Sequence, residues 1–461
     1  MNAFTYDHTF QLPIERQTHT YVIGQPGTGK SRLLESWIMQ DILAGNGLCV
    51  IDPHGDLFQA LLRQIALLPQ VWKKVVIIDP CDQEWAVNIN PLTTFPGIPT
   101  ERIAAFLTDI LLKIWKTNAT EAPRMTWLMI NSFIALSELS LTLPDLPAFL
   151  LDREYRERLL PGMKNSNALF YFQHEYPGTV SSANQWAAPL LNKLGGILFD
   201  PDICPLFVAG TALNFRKLID DRNIILVNIS KGTLGENTSA LLGAFIVAQL
   251  QKAALSRSDQ SHRSPFYLYL DEFQNYTTDN IQDILSESRK YALSLILANQ
   301  YLDQLSPEIR AAILNTAGTL VSFRIGYADA REMSRLIFPS LEASRTISTG
   351  YSPLPGTSRL FSLFDRVLQP GGTQEKTISQ LTDLYDREFW ARSRREKEQV
   401  RCKSFTMQDG QNSSDIEARV KTLRMASGRH FGYPKGKARS TGKIFDSDPV
   451  SGQNGLPTWG V

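Results

Sequence analysis

Two short stretches carry residue types that could do chemistry together: Gly24-Gln-Pro-Gly-Thr-Gly-Lys30-Ser31 and Asp271-Glu272. In the first, Gly27 and Gly29 let backbone N–H groups turn inward on an anion with no Cβ in the way. The Lys30 amine can reach the β- and γ-phosphates of a nucleotide, and the Ser31 hydroxyl can ligate Mg²⁺. Gly24, Gln25, Pro26, Gly27, Thr28, Gly29, Lys30, Ser31 and Arg32 are therefore the candidate ATP contacts. In the second, Asp271 would hold Mg²⁺ directly or through water, and Glu272 would polarise the water that attacks the terminal phosphate. The metal residues are then Ser31 and Asp271, and the implied ligands are ATP and Mg²⁺. Gln300, closing Ala298-Asn-Gln, would face the γ-phosphate as a sensor.

These residues need elements to position them. Tyr21-Val-Ile23 precedes the glycine loop, and Leu33, Leu34, Trp37, Ile38 and Ile42 follow at helical spacing. A strand, a glycine-rich loop and a helix are the setting a phosphate-binding loop requires. Leu48–Asp52, Val75–Asp79, Asn223–Ile229, Phe266–Leu270, Ser294–Ala298 and Gly318–Ile325 read as further strands. Their near-continuous apolar runs imply burial on both faces, hence a parallel sheet. Helical patterns alternate with them, which gives an α/β fold. Asp271-Glu272 closes one such strand, where an open sheet presents residues to its ligand. Asp52, His54 and Asp56 end another on the same edge, either shaping the metal site or capping the next helix. The last helices are expected at Asp329–Ile337 and Thr377–Arg392.

From Glu101 to Leu206 the period is helical with no convincing strand, as in Ile103, Phe106, Leu107, Ile110, Leu111 and Ile114. Roughly 100 residues exceed an ordinary crossover connection, so this is an all-helical insertion. Residues 391–443 carry 14 Lys/Arg against 5 Asp/Glu. The chain then turns Gly-, Ser- and Pro-rich, and the expectation is a disordered basic tail, solvated or in contact with nucleic acid. The expected domains are 1–98, first part of the core; 99–215, insertion; 216–403, second part of the core; and 404–461, tail.

With 461 residues and 43% hydrophobic content the chain can bury a large core. The net charge of +1 decides little. Cys49, Cys81, Cys204 and Cys402 are scattered with no C-x-x-C pair, which argues against a zinc or disulfide framework and fits a reducing cytosol. No apolar run is expected to reach membrane-spanning length, so the expected location is cytoplasmic.

Gly24–Ser31, Asp52-Pro-His-Gly-Asp56, Tyr267-Leu-Tyr-Leu-Asp-Glu-Phe-Gln-Asn275 and Ala298-Asn-Gln300 together resemble the HerA–FtsK superfamily. Within it the chain looks most like the TraG/TraD-type coupling ATPases of conjugation and type IV secretion. Asn192–Gly195, Phe215-Arg216, Val227–Gly232 and Ser286–Tyr291 stand in the order expected of that group. The resemblance covers about Thr20 to Pro339. It implies a RecA-like core, a homo-hexameric ring that hydrolyses ATP to move DNA, and relaxase or secretion partners. Membrane-bound members carry N-terminal transmembrane helices; none is expected here, so the resemblance implies either a soluble member or one recruited to the inner membrane face by a partner. An arginine from the neighbouring subunit would complete the site; Arg324 is the candidate and Arg310 the alternative. Two rival functions remain: a protein-export motor, and a nucleotide-gated adaptor that recruits relaxase-type partners without translocation.

Overall fold

In the computed structural model the described residues are 18–94, 97–208, 212–276, 285, 288–339, 371–394, 399–404 and 413–435. They fall into two compact units, 1–79 with 214–427 and 80–213 with 428–461.

The first unit is built on a nine-stranded sheet. Its strands are β1 Thr20–Ile23, β2 Gly47–Asp52, β3 Val75–Ile78, β5 Ile224–Asn228, β6 Phe266–Leu270, β7 Leu293–Asn299, β8 Thr319–Ser322, β9 Glu388–Ser393 and β10 Gln399–Lys403. The spatial order is β10-β9-β8-β1-β7-β6-β2-β5-β3. Strands β1 to β8 of this sheet run parallel, and β9 and β10 add an antiparallel edge. Every residue of β1, β2, β3 and β5 to β8 is buried, as two covered faces require.

The helices Lys30–Leu43 and Asp56–Ala66 cover one face. Trp37, Ile38, Phe58, Leu61 and Ile65 join Val22, Val50, Ile77 and Leu226 in one cluster. Burying each such side chain stabilises by about 1.5–3 kcal/mol before the cost of ordering it. The helix Glu236–Leu255 is apolar almost all round. Contrary to the sequence expectation, the stretch 236–259 is long and apolar enough to cross a membrane, but 83% of its most apolar window is buried in the fold. It is a core helix.

Two expectations need correcting. The helix expected over Thr377–Arg392 is instead a helix Gly371–Thr382 followed by β9. Phe389 and Ala391 are buried, so the period there is two, not 3.6. The tail expected to be disordered after 404 holds a helix, Ser413–Phe431. Ile416, Val420 and Leu423 recur at i, i+4 and i+7, are buried, and join the core. Arg424 donates to Asp79 Oδ2 at 2.8 Å, and the Ile77 N–H donates to Ser427 Oγ at 3.0 Å. Arg424, a cation of this basic stretch, thus serves the fold. The tail residues 405–412 and 436–461 lie outside the described residues, as does most of 280–290, where the helical pattern between β6 and β7 falls.

In the second unit the described residues between 99 and 208 form helices and no strand, chiefly Thr100–Ile114, Pro123–Glu138 and Val180–Leu198. A two-residue pairing joins β4 Trp85–Ala86 to β11 Tyr433–Pro434. Gly428 lies so close to Trp85 that a Cβ there would sit 2.3 Å from the indole. The unit begins at Pro80 and takes in chain from 428 onward, rather than beginning at 99.

Candidate nucleotide-hydrolysis site

The carboxyl ends of β1, β6 and β7 bring the chemistry together. After β1 the chain turns through Gly24–Gly29 into the helix Lys30–Leu43. A Cβ on Gly24 would sit 2.5 Å from Phe323 Cβ, so only glycine lets the loop lie against β8 there. Gly29, at φ +110°, opens the helix from the left-handed region. That helix has no side-chain cap and no acidic residue in its first turn, so its first N–H groups remain for an anion. The Arg32 guanidinium donates to Glu35 at 2.7 Å.

The loop is braced from outside. Gln25 N–H donates to the Arg324 carbonyl at 2.9 Å, and Arg387 N–H donates to the Thr28 carbonyl at 2.8 Å. Thr28 Oγ1 donates to Gln25 O at 2.7 Å. Lys30 Nζ donates to Gly24 O at 2.6 Å and Gln25 O at 3.2 Å, curled onto its own loop. Burial pulls this ammonium below the usual lysine range, opposed by Asp271 and Glu272.

From β6 come Asp271 and Glu272, both buried. Ser31 Oγ donates to Asp271 Oδ2 at 3.4 Å, so the two candidate metal residues face each other. Burial, with Asp52 and Glu272 adding like charge, pushes the Asp271 carboxyl up to about 6. Asp52 ends β2 on the same edge. It accepts the His54 and Phe58 backbone N–H groups at 2.9 Å each, capping the helix Asp56–Ala66, and its charge acts on Asp271. A buried carboxylate cluster facing a serine hydroxyl fits a divalent cation, which would relieve the repulsion. Among the described residues no group of three His, Cys, Asp or Glu could hold a metal alone. Mg²⁺ held by Ser31 and Asp271 would complete its shell with phosphate oxygens and water.

Strand β7 lies between β1 and β6, so its end emerges between Lys30 and Glu272. Gln300 Nε2 donates to Glu272 Oε1 at 2.8 Å. Glu272 itself has φ +47°, an uncommon conformation for a non-glycine residue that fits a functional position. Sequence reasoning missed Gln274, whose Nε2 donates to Glu272 Oε2 at 2.6 Å. It also missed the Lys231 Nζ donation to Asn275 Oδ1 at 2.8 Å. Two amides one residue beyond the acidic pair, after Phe273, were the available signal.

Lys30, Ser31, Asp271, Glu272 and Gln300 converge; the arginines do not join them. Arg324 pairs with Asp386 at 2.8 Å and donates to Leu384 O at 3.2 Å. Arg310 pairs with Glu332 and with Asp303.

No family model and no curated protein sequence matches the chain. Solved structures do share its fold. The plasmid coupling protein TrwB in complex with ADP and Mg²⁺ is 14% identical, with a TM-score of 0.51 over 86% of this chain and 88% of that one. TrwB with a non-hydrolysable ATP analogue is 14% identical, TM-score 0.54, over 87% and 88%. VirB4 of Thermoanaerobacter pseudethanolicus is 14% identical, TM-score 0.52, over 84% and 89%. At this identity the likeness is one of fold.

Proposed function

We propose that the chain is a Mg²⁺-dependent ATP hydrolase that drives DNA movement as a homo-oligomeric, hexameric ring of the conjugative-coupling kind. The observation that carries the hydrolase reading is the convergence of Lys30, Ser31, Asp271, Glu272 and Gln300 across three adjacent strands. Lys30 leaves its own carbonyls for the β- and γ-phosphates. Glu272 accepts a proton from water as the new O–P bond forms and the bond to the ADP oxygen breaks. The bound cation would supply charge neutralisation at the phosphates. Gln300 is placed to read the γ-phosphate.

The DNA track is supported by the likeness of fold to a coupling protein and by the motif order. Arg324 remains the candidate to act across a subunit interface. Its partner Asp386 is 66% exposed, and an exposed pair holds an arginine by no more than about 1 kcal/mol. The location proposed is the cytoplasm, with recruitment to the inner membrane face by relaxase or secretion partners.

The test is the ATP hydrolysis rate of the full chain with and without DNA, with mass in solution measured alongside. The expected results are a rate that rises with DNA, a hexamer in ATP, and loss of both nucleotide binding and turnover in Lys30→Ala. Hydrolysis indifferent to DNA but raised by a polypeptide would make this an export motor. Partner binding gated by ATP, with no displacement of a strand or triplex, would make it an adaptor.

A further inference from the structure

Glu272 is held in an unusual way for a base. Both of its carboxylate oxygens already accept an amide hydrogen bond, Oε1 from Gln300 and Oε2 from Gln274. Each oxygen keeps a second lone pair for water, but each amide that donates to the carboxylate stabilises its charge and weakens it as a proton acceptor. The surroundings of the two glutamines are not alike.

Gln274 lies two residues after Glu272, in a turn fixed from several sides. The Asn275 backbone N–H and its Nδ2 both donate to the Glu272 carbonyl, at 3.1 Å and 2.8 Å. Asn275 Oδ1 in turn accepts from Lys231 Nζ at 2.8 Å, which ties the turn to the segment after β5. Phe273, buried and edge-on to Tyr21, pins the same turn from below. Gln300 sits at the end of β7, in the gap between β1 and β6. Its backbone N–H is held by Gln304 Oε1 at 3.0 Å, and its side chain reaches Glu272 from a different strand.

We propose that the two amides divide the control of Glu272: Gln274 is the fixed anchor of Oε2, and Gln300 is the exchangeable occupant of Oε1. With no nucleotide, Gln300 donates to Oε1 and lowers its basicity. A γ-phosphate offers Gln300 a stronger, doubly charged acceptor. Its departure restores Oε1 as an acceptor for the proton of water, while Gln274 keeps the carboxylate plane aimed. Gln274 is thus a positioning residue that acts through Glu272, whereas Gln300 answers to both Glu272 and ATP. The inference rests on the hydrolase reading above.

The experiment compares Gln274→Met and Gln300→Met, which keep side-chain length and remove the donor. Measured in the full chain are kcat, the affinities for ATP analogue and ADP by titration, and the melting temperature. Gln274→Met should lower kcat roughly 10–100-fold, the range for losing one hydrogen bond to a charged group, with an unchanged ATP-to-ADP affinity ratio. Gln274→Glu, which sets a second carboxylate against Glu272, should lose more. Gln300→Met should lower kcat and also reduce the ATP-to-ADP ratio. In a Glu272→Gln background, Gln274→Met should cost almost nothing further, because the two act as a unit; a purely structural role would still add. A parent-like kcat for Gln274→Met, a changed nucleotide ratio, or additive losses would overturn the division. Near-parent hydrolysis in Glu272→Gln itself would overturn the hydrolase reading, and this inference with it.

Discussion

The two edges of the central sheet bury polar groups to opposite ends. At the amino edge, just before β1, His19 is buried with both ring nitrogens satisfied. Nε2 donates to Leu285 O at 2.9 Å, and Nδ1 accepts the Leu295 N–H at 3.1 Å. Burial pulls it down to about 4, so it is neutral at physiological pH. At the same edge the fully buried Arg257 pairs with Asp220 at 2.9 Å. It also donates to the carbonyls of Tyr291 and Ser264 at 2.9 Å and 2.8 Å. At the carboxyl edge Asp52, Asp271 and Glu272 crowd together, with Lys30 curled away onto carbonyl groups. Burial is equal at the two edges, but only one of them is neutralised from within. Paired polar groups hold strands in register; a frustrated cluster is a site that a ligand completes.

This contrast can be broken in three ways. The largest effect belongs to Glu272→Gln, which should retain ATP affinity while hydrolysis falls on the order of 10²–10⁴-fold. Phosphate release and nucleotide titration measure the two sides. Retained hydrolysis would mean that Asp271-Glu272 is not the reacting pair.

At the opposite edge, Arg257→Met should leave kcat per folded molecule unchanged and cost about 3 kcal/mol of stability, as for other broken buried pairs. Urea unfolding followed beside activity decides it, and a kcat loss at constant stability would erase the distinction between the edges.

The smallest effect, and the sharpest in sign, is on pH. Folding raises the Asp271 carboxyl from 3.8 to about 6. Between those values the folded chain holds a proton that the unfolded chain lacks, so this group lowers stability as pH rises through the window. His19 does the reverse: depressed from 6.5 to about 4, it loses stability as pH falls through that range. Asp271→Asn should therefore stabilise the nucleotide-free protein by no more than about 3 kcal/mol above pH 6. It should also expose the steeper acid loss due to His19. An Asp271→Asn variant less stable than the parent at pH 7.5 would show that the carboxylate is satisfied without a cation.

The phosphate loop was legible because its signal is local. Glycine spacing, Lys30, Ser31 and the flanking apolar runs lie within some twenty consecutive residues, and backbone sterics allow few other uses of that pattern. Strand ends at Asp271 and Gln300 were legible for the same reason: buried parallel strands write continuous apolar runs, and the first polar residue marks the edge. The β9–β10 edge was harder to see, since its alternation spans only six residues of β9 and sits in strongly charged chain. The helix Ser413–Phe431 was hidden by composition. Its three buried positions, Ile416, Val420 and Leu423, are diluted by charged residues that pair with residues far back in the chain, Arg424 with Asp79 and Glu417 with Arg63.

The sequence alone thus determined which residues could bind a phosphate, carry a cation and activate water, because those abilities belong to residue types at short spacing. Tertiary structure decided which of them meet. It set β7 between β1 and β6, put Gln300 and Gln274 on the two oxygens of Glu272, and drew Arg324 to Asp386 and Arg424 to Asp79. Contacts between residues distant in the chain depend on strand order and on burial of the whole core, and no local pattern encodes either.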